Sequence, residues 1–276
     1  MIEQQAHDGF TLPAIGLGTY RLNGSAGAEA IGTAVRSGYR LLDSAFNYEN
    51  EGAVGRGVRE SGADPSTLIV TSKLPGRRHG TDAALRTIEE SVYRTGFDAI
   101  DLYLIHWPNP VTGRYVEAWR GLVEARERGL VRHIGVSNFL PEHLERIEAE
   151  TGVRPVVNQI ELHPYFPQEE ALAYHRERGI ITEAWSPVGR GGEIVEDPVV
   201  SGIAAEHGIT PVQAILAWHV ARGAVPLPRS QDPGRQRENL AAAEIVLSDE
   251  EVGAITALGR PDGRLLDQDP AVYEEF

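Results

Sequence analysis

The chain has 276 residues, a formal net charge of −14 and no cysteine. The acidic balance argues against a nucleic-acid partner, and the lack of cysteine removes disulfides, thiol nucleophiles and zinc–thiolate sites. No apolar run reaches the roughly 18–20 residues that cross a membrane. The opening MIEQQAHDGF lacks the basic start and apolar run of a secretory signal, so a cytoplasmic protein is expected.

Along the chain, Asp8–Gly9 first predicts the turn of a small hairpin. Short runs rich in Ile, Val and Leu then recur as candidate strands. They are AIGLGT (14–19), YRLLD (39–43), LIVTSK (68–73), AIDLYLIH (99–106), VRHIGVS (131–137), PVVNQIE (155–161), GIITEAW (179–185) and AVPLP (224–228). Segments of helical period separate them. In GTDAALRTIEESVYRTG, Leu85, Ile88 and Val92 share a face, and in EAWRGLVEARERG so do Trp119, Leu122, Val123 and Arg126. Thr81 or Asp82 is the expected cap of a helix over 83–94, and Ser248 of one through DEEVGAI. Eight strands, each followed by a helix, predict one α/β domain over 1–276, a (β/α)8 barrel preceded by the hairpin.

Such barrels carry their active sites at the C-terminal ends of the strands. The polar or aromatic residues there are Asp43, Lys73, His106, Ser137–Asn138, Gln159 and Trp185. Read singly, each has a structural use: Asp43 as a helix cap, His106 as a hydrogen-bonded core histidine, Asn138 as a cap for PEHLERI. Their joint placement at six strand ends points to a site. Lys73 is also the only lysine in a chain with 26 Lys and Arg residues.

These residues sit within longer segments that resemble the aldo-keto reductase family from end to end. The segments are LPAIGLGTYRL, GYRLLDSAFNYENEGAVGRGV, LIVTSKL, DLYLIHWP, IGVSNF, NQIELHPY, AWSPVGRG and RSQDPGRQRENL. The short stretch after HWP makes the chain most similar to bacterial members related to 2,5-diketo-gluconate reductases. The resemblance implies a catalytic tetrad on Asp43, Tyr48, Lys73 and His106. It also implies NADP(H)-dependent reduction of small aldehydes or ketones, with no metal. Tyr48 would be the general acid, its pKa brought down from the ordinary value near ~10 by the Lys73 cation, which Asp43 holds. His106 would donate to the substrate oxygen, best as the neutral ring.

By the same resemblance, Ser137, Asn138 and Gln159 meet the nicotinamide carboxamide and Trp185 stacks on its ring. The loop of Ser186, Pro187, Val188 and Arg190 folds over the pyrophosphate, its glycines allowing close approach. Arg229, Ser230 and Arg235 hold the 2′-phosphate, and Glu238 and Asn239 meet the adenine. Tyr20, Phe46, Asn47, Trp107 and Asn109 are the implied pocket walls. The chain departs from the family at Arg229, where lysine is commoner, and at Glu49, where glycine is frequent. A guanidinium also binds phosphate, so NADP(H) is expected over NAD(H). A monomer is expected, since monomers are common among the relatives.

Other chemistries fit less well. GLGTYR places Arg21 at the third glycine of a dinucleotide fingerprint, GVSNF places Phe139 at the last glycine of a nucleophile elbow, and no His-x-His occurs. Tyr48 is followed four residues later by Gly52 rather than lysine. A glycosidase could use Asp43 and Glu161, but Lys73 and Tyr48 would then lack a role. A cofactor-binding sensor or regulatory subunit on the same fold is the non-enzyme alternative.

Overall fold

The computed structural model describes residues 3–276. Strands β1 (Glu3–Gln5) and β2 (Thr11–Pro13) pair antiparallel around the Asp8–Gly9 turn, where Gly9 takes φ +93. Eight parallel strands follow: β3 (Leu17–Gly18), β4 (Leu41–Asp43), β5 (Ile69–Leu74), β6 (Ile100–Ile105), β7 (Val131–Ser137), β8 (Val157–Glu161), β9 (Ile181–Trp185) and β10 (Ala224–Pro226). They neighbour one another in chain order. Gly16 N donates to Pro226 O and Gly18 N to Pro228 O, both at 3.1 Å, which joins the first strand to the last and closes the barrel. Gly16 is required there, because a Cβ would come within 2.7 Å of Leu227 and Leu41.

Helices α1 (Gly24–Arg36), α2 (Glu51–Ser61), α3 (Thr81–Thr95), α4 (Tyr115–Glu127), α5 (Pro141–Thr151) and α6 (Glu169–Arg178) connect the first seven barrel strands. Three helices lie between β9 and β10, namely α7 (Glu193–Glu196), α8 (Pro198–His207) and α9 (Pro211–Ala221). After β10 come α10 (Pro233–Ala241) and α11 (Asp249–Thr256). The expected single helix per strand thus fails after β9, where Pro198 and Pro211 each start a new helix. Ser248 caps α11 in a box with Glu251, as expected. Thr81 and Asp82 do not cap α3; the helix begins at Thr81 itself, whose hydroxyl donates instead to Glu117 O. Asn138 does not cap α5, whose N-cap is Leu140.

Strand parity explains how the barrel turns from apolar to polar along its axis. One set of alternate residues packs outward under the helices, as Tyr103 and Ile105 do beside Trp119 and Leu122. The other set faces inward. Leu41, Leu102, Leu104, Val157, Ile181, Val225 and Leu227 form an inner cluster with Ala6 and Leu12 of the hairpin, which plugs the N-terminal end. Continuing each inward series by two residues reaches Asp43, His106, Gln159, Glu183 and Arg229. In β5 the same phase, Ile69 and Thr71, leads to Lys73. The dry half of the barrel is therefore the floor of a polar half, where strand ends converge.

Candidate active site

Lys73 is 0 % exposed, so its charge must be paired within the protein. Its Nζ lies 2.6 Å from Asp43 Oδ1 and 2.7 Å from Oδ2, and it donates to Ser44 O at 2.8 Å. Burial alone would depress this ammonium, but the Asp43 carboxylate beside it holds it above its ordinary value. Gln159 donates from Nε2 to Asp43 Oδ1 and to Glu183 Oε2, both at 2.8 Å. Burial, reinforced by Asp43, pushes the Glu183 carboxyl up to about 8. The shift favours the neutral form of Glu183, and Asp43 is the carboxylate set directly against the Lys73 ammonium.

Tyr48 ends a 3-10 turn over Phe46–Tyr48 that follows β4. Lys73 Nζ sits 5.0 Å from the centre of its ring. The Tyr48 ring meets His106 edge-on at 5.9 Å and Tyr20 at 5.1 Å. Burial raises the Tyr48 pKa, Lys73 opposes it, and Asp43 and Glu275 add to it, with a net shift upward. The expected lowering is thereby corrected: desolvation of the phenolate outweighs the Lys73 cation. A raised value keeps the proton on Tyr48, as a general acid requires, and the Lys73 ammonium makes its departure less costly.

The turn is pinned from both sides. Asn23 Nδ2 donates to Tyr48 O at 2.8 Å, and buried Asn50 accepts from Ser44 Oγ at 2.6 Å while donating to Thr19 O at 2.7 Å. Glu49 closes the turn in the left-handed region, at φ 53 and ψ 30. A side chain there costs about 1 kcal/mol that glycine avoids. Glu49 is exposed, so Glu49→Gly is expected to raise stability by up to about 1 kcal/mol, less what the more flexible unfolded chain takes back. Thermal unfolding checks this; a lower Tm would mean that the Glu49 side chain makes a stabilising contact.

At the ends of β7 to β9, polar groups hold one another. Ser137 Oγ donates to Gln159 O at 2.8 Å, and Asn138 Nδ2 donates to His106 O and Ser137 Oγ at 3.0 Å. Trp185 Nε1 donates to Asn138 Oδ1 at 2.8 Å, which sets the tilt of the indole. Asn138 takes φ 62, so the chain turns sharply as it leaves β7. In the loop after β9, Ser186, Gly189, Arg190, Gly191 and Gly192 all have positive φ. A Cβ added to Gly191 or Gly192 would meet no protein atom within 4 Å, and both take a positive φ that glycine adopts without strain. Pro187 O meets the buried His219 Nε2 at 3.0 Å, and Val188 packs on the outer core.

Arg229 and Arg235 are exposed and flank the start of α10, with Ser230 between them. Arg229 Nε donates to Tyr20 O at 3.2 Å, and Asp232 caps the helix by accepting from Arg235 N at 2.8 Å. The Asp232 carboxylate thus already occupies the helix N-terminus that the two arginines flank. Glu238 and Asn239 lie on the same helix, Glu238 exposed and Asn239 buried.

The implied pocket walls separate into two groups. Tyr20 is 49 % exposed at the rim, and Trp107 is buried between Trp185, at 6.4 Å, and Tyr273, at 4.5 Å. Phe46 carries the Arg94 guanidinium at 4.1 Å. Asn47 and Asn109 instead bind Glu275: Asn47 Nδ2 donates to its Oε1 at 2.8 Å, and Asn109 exchanges bonds with its backbone N and O at 3.1 and 2.8 Å. Sequence reasoning missed Glu183, Asn50 and Glu275. Glu183 was in phase two residues before Trp185, whereas Glu275 had no sequence signal.

The glycosidase alternative loses its second carboxylate. Glu161 is buried, and its Oε1 is held by His163 Nε2 at 3.1 Å and Leu265 N at 2.5 Å. A cavity of about 510 Å³ lies at the opposite end of the barrel, between the hairpin and α10, and contains none of these site residues.

A closed (β/α)8 barrel with a buried Asp–Lys pair, a tyrosine and a histidine at its C-terminal mouth defines the class. The chain belongs to the aldo/keto reductase family, whose model matches residues 14–193 and 195–260. It is 52 % identical over 270 residues to the 2,5-diketo-D-gluconic acid reductase B of a Corynebacterium species, covering 98 % of this chain and 97 % of that one. It is 40 % identical over 287 residues to morphine 6-dehydrogenase of Pseudomonas putida, covering 98 % and 96 %. Among solved structures, a Gox0644 mutant in complex with NADPH superposes with a TM-score of 0.93 at 42 % identity, covering 99 % of this chain and 98 % of that one. A Bombyx mori aldo-keto reductase in complex with NADP gives 0.87 at 34 % identity, covering 94 % and 92 %.

Proposed function

We propose that this protein reduces small aldehydes or ketones to alcohols using NADPH, with Tyr48 as general acid. The observation that carries the reading is the buried Lys73, held on Asp43 and facing the Tyr48 ring beside His106. The site fits a nicotinamide dinucleotide. Both Nε2 protons of Gln159 are committed to the carboxyl groups of Asp43 and Glu183, which leaves its amide oxygen to accept from a carboxamide N–H. Trp185 is held by Asn138 and offers an indole face. Arg229, Ser230 and Arg235 would hold the 2′-phosphate, Glu238 and Asn239 the adenine, and the Ser186–Arg190 loop the pyrophosphate. NADPH and NADP complexes of the structural relatives support this choice of cofactor.

When bound, the nicotinamide supplies the hydride. The protein's part is proton supply and charge stabilisation. Tyr48 O–H donates to the substrate oxygen as negative charge builds there, and Lys73 stabilises the phenolate left behind. His106 orients the carbonyl through a second hydrogen bond. Asp43 and Gln159 keep the Lys73 ammonium at its post.

The test is NADPH absorbance with a panel of aldehydes and ketones; cofactor binding without turnover would favour the regulatory alternative. Arg229→Gly is expected to raise KM for NADPH by roughly 10- to 100-fold, the loss of a charged hydrogen-bond partner, with little change for NADH. Equal losses for both cofactors would remove Arg229 from the 2′-phosphate.

A further inference from the structure

We propose that Glu275 is the positioning residue for His106: its carboxylate lies against ring Nδ1, directs that nitrogen's proton inward and leaves Nε2 to meet the substrate oxygen. The inference rests on the carbonyl-reduction reading and names the group that aligns its second donor.

Glu275 Oε1 stands 2.7 Å from His106 Nδ1. Nδ1 is buried and makes no aligned hydrogen bond, so the carboxylate is the polar group set against it. The same oxygen accepts from Asn47 Nδ2 at 2.8 Å, and Oε2 accepts from Gly76 N at 3.1 Å. These donors, with His106, hold the carboxyl below its ordinary range although burial alone would raise it.

The backbone is seated as closely as the side chain. Asn109, itself in the left-handed region at φ 47, brackets the Glu275 backbone with its amide. Gly76 leaves the space, since a Cβ there would come within 2.3 Å of Glu275 O. The preceding Glu274 accepts from Val111 N at 2.8 Å and from the Thr112 hydroxyl, and Tyr273 packs on Trp107. Three successive residues thus dock beside His106, and only Glu275 turns its charge toward the ring.

The proton count explains why a carboxylate belongs there. A neutral ring has one N–H, so with the Nδ1 proton directed at Glu275 its Nε2 is an acceptor. Donation to a carbonyl oxygen then needs protons on both nitrogens, in place of the neutral donor that the family resemblance implies. An ionised Glu275 supplies the counter-charge of that form. No covalent bond is made or broken at Glu275.

The full-length Glu275→Gln and Glu275→Ala variants test this by steady-state kinetics and by ring-nitrogen NMR of histidine-labelled protein. The His106 signals are assigned by their loss in His106→Gln. Both variants are expected to lose kcat for aldehyde reduction by about 10- to 100-fold, the scale of a misplaced catalytic group, with NADPH affinity unchanged. The His106 Nδ1 signal is expected to move in Glu275→Gln, and added acetate to restore part of kcat to Glu275→Ala. Wild-type kcat in both variants, or His106 signals that do not move, would overturn the proposal. If the wild-type protein turned over no carbonyl compound, the carbonyl-reduction reading would fall, while the ring signals would still decide whether Glu275 holds His106.

Discussion

Tyr48→Phe is expected to lower kcat for carbonyl reduction by roughly 10³-fold, within the range for loss of a positioned general acid. The variant removes one oxygen from a ring already fixed by Lys73, His106 and Tyr20, and the Asn23 bond to the Tyr48 backbone remains. The fold and the cofactor contacts stay in place, so the affinity for NADPH should match the wild type. Fluorescence titration with NADPH and a stopped assay for alcohol product measure the two quantities separately. Wild-type turnover would reassign the acid; a parallel loss of cofactor binding would mean that the hydroxyl serves the site's structure.

Lys73→Arg keeps the charge and is nevertheless expected to reduce kcat by about 10³-fold, as for a lost oxyanion-stabilising group. The ammonium is fully buried, with Asp43 and Ser44 O around it in a space shaped by tightly packed strands. A guanidinium is larger and planar and brings five donors to a site built for three. It either overpacks the barrel, at about 1–3 kcal/mol, or shifts its charge away from the phenol. Deleting the cation altogether is a poorer test, because stripping Asp43 of its buried partner costs about 3–5 kcal/mol. Near-normal turnover with intact Tm would show that any cation suffices at position 73.

The barrel was readable because its two periods are local. Alternate inward residues such as Leu102 and Leu104, and helical faces such as Leu85 and Ile88, repeat within a few residues and need no knowledge of distant contacts. Ends were less legible. The expected strand over 14–19 shortens to Leu17–Gly18, because closure against β10 uses only a few backbone groups. Thr81 lost its capping role to a carbonyl 36 residues away, a competition invisible in the local sequence.

Residue type and position at the ends of apolar runs picked out Asp43, Lys73, His106, Ser137–Asn138, Gln159 and Trp185, and the lone lysine stood out by composition. Charge balance required the three-dimensional structure. Glu183 becomes a neutral partner only because burial and Asp43 act on it together, and Tyr48 stays protonated because desolvation outweighs Lys73. Glu275 reaches His106 across 169 residues of chain through bonds to Asn47, Gly76 and Asn109. Periodicity is encoded between near neighbours, so the sequence by itself determined the barrel and which polar side chains end its strands. Desolvation and Coulomb interactions depend on distances between remote residues, so only the tertiary structure decided the protonation of those side chains and which carboxylate meets the histidine.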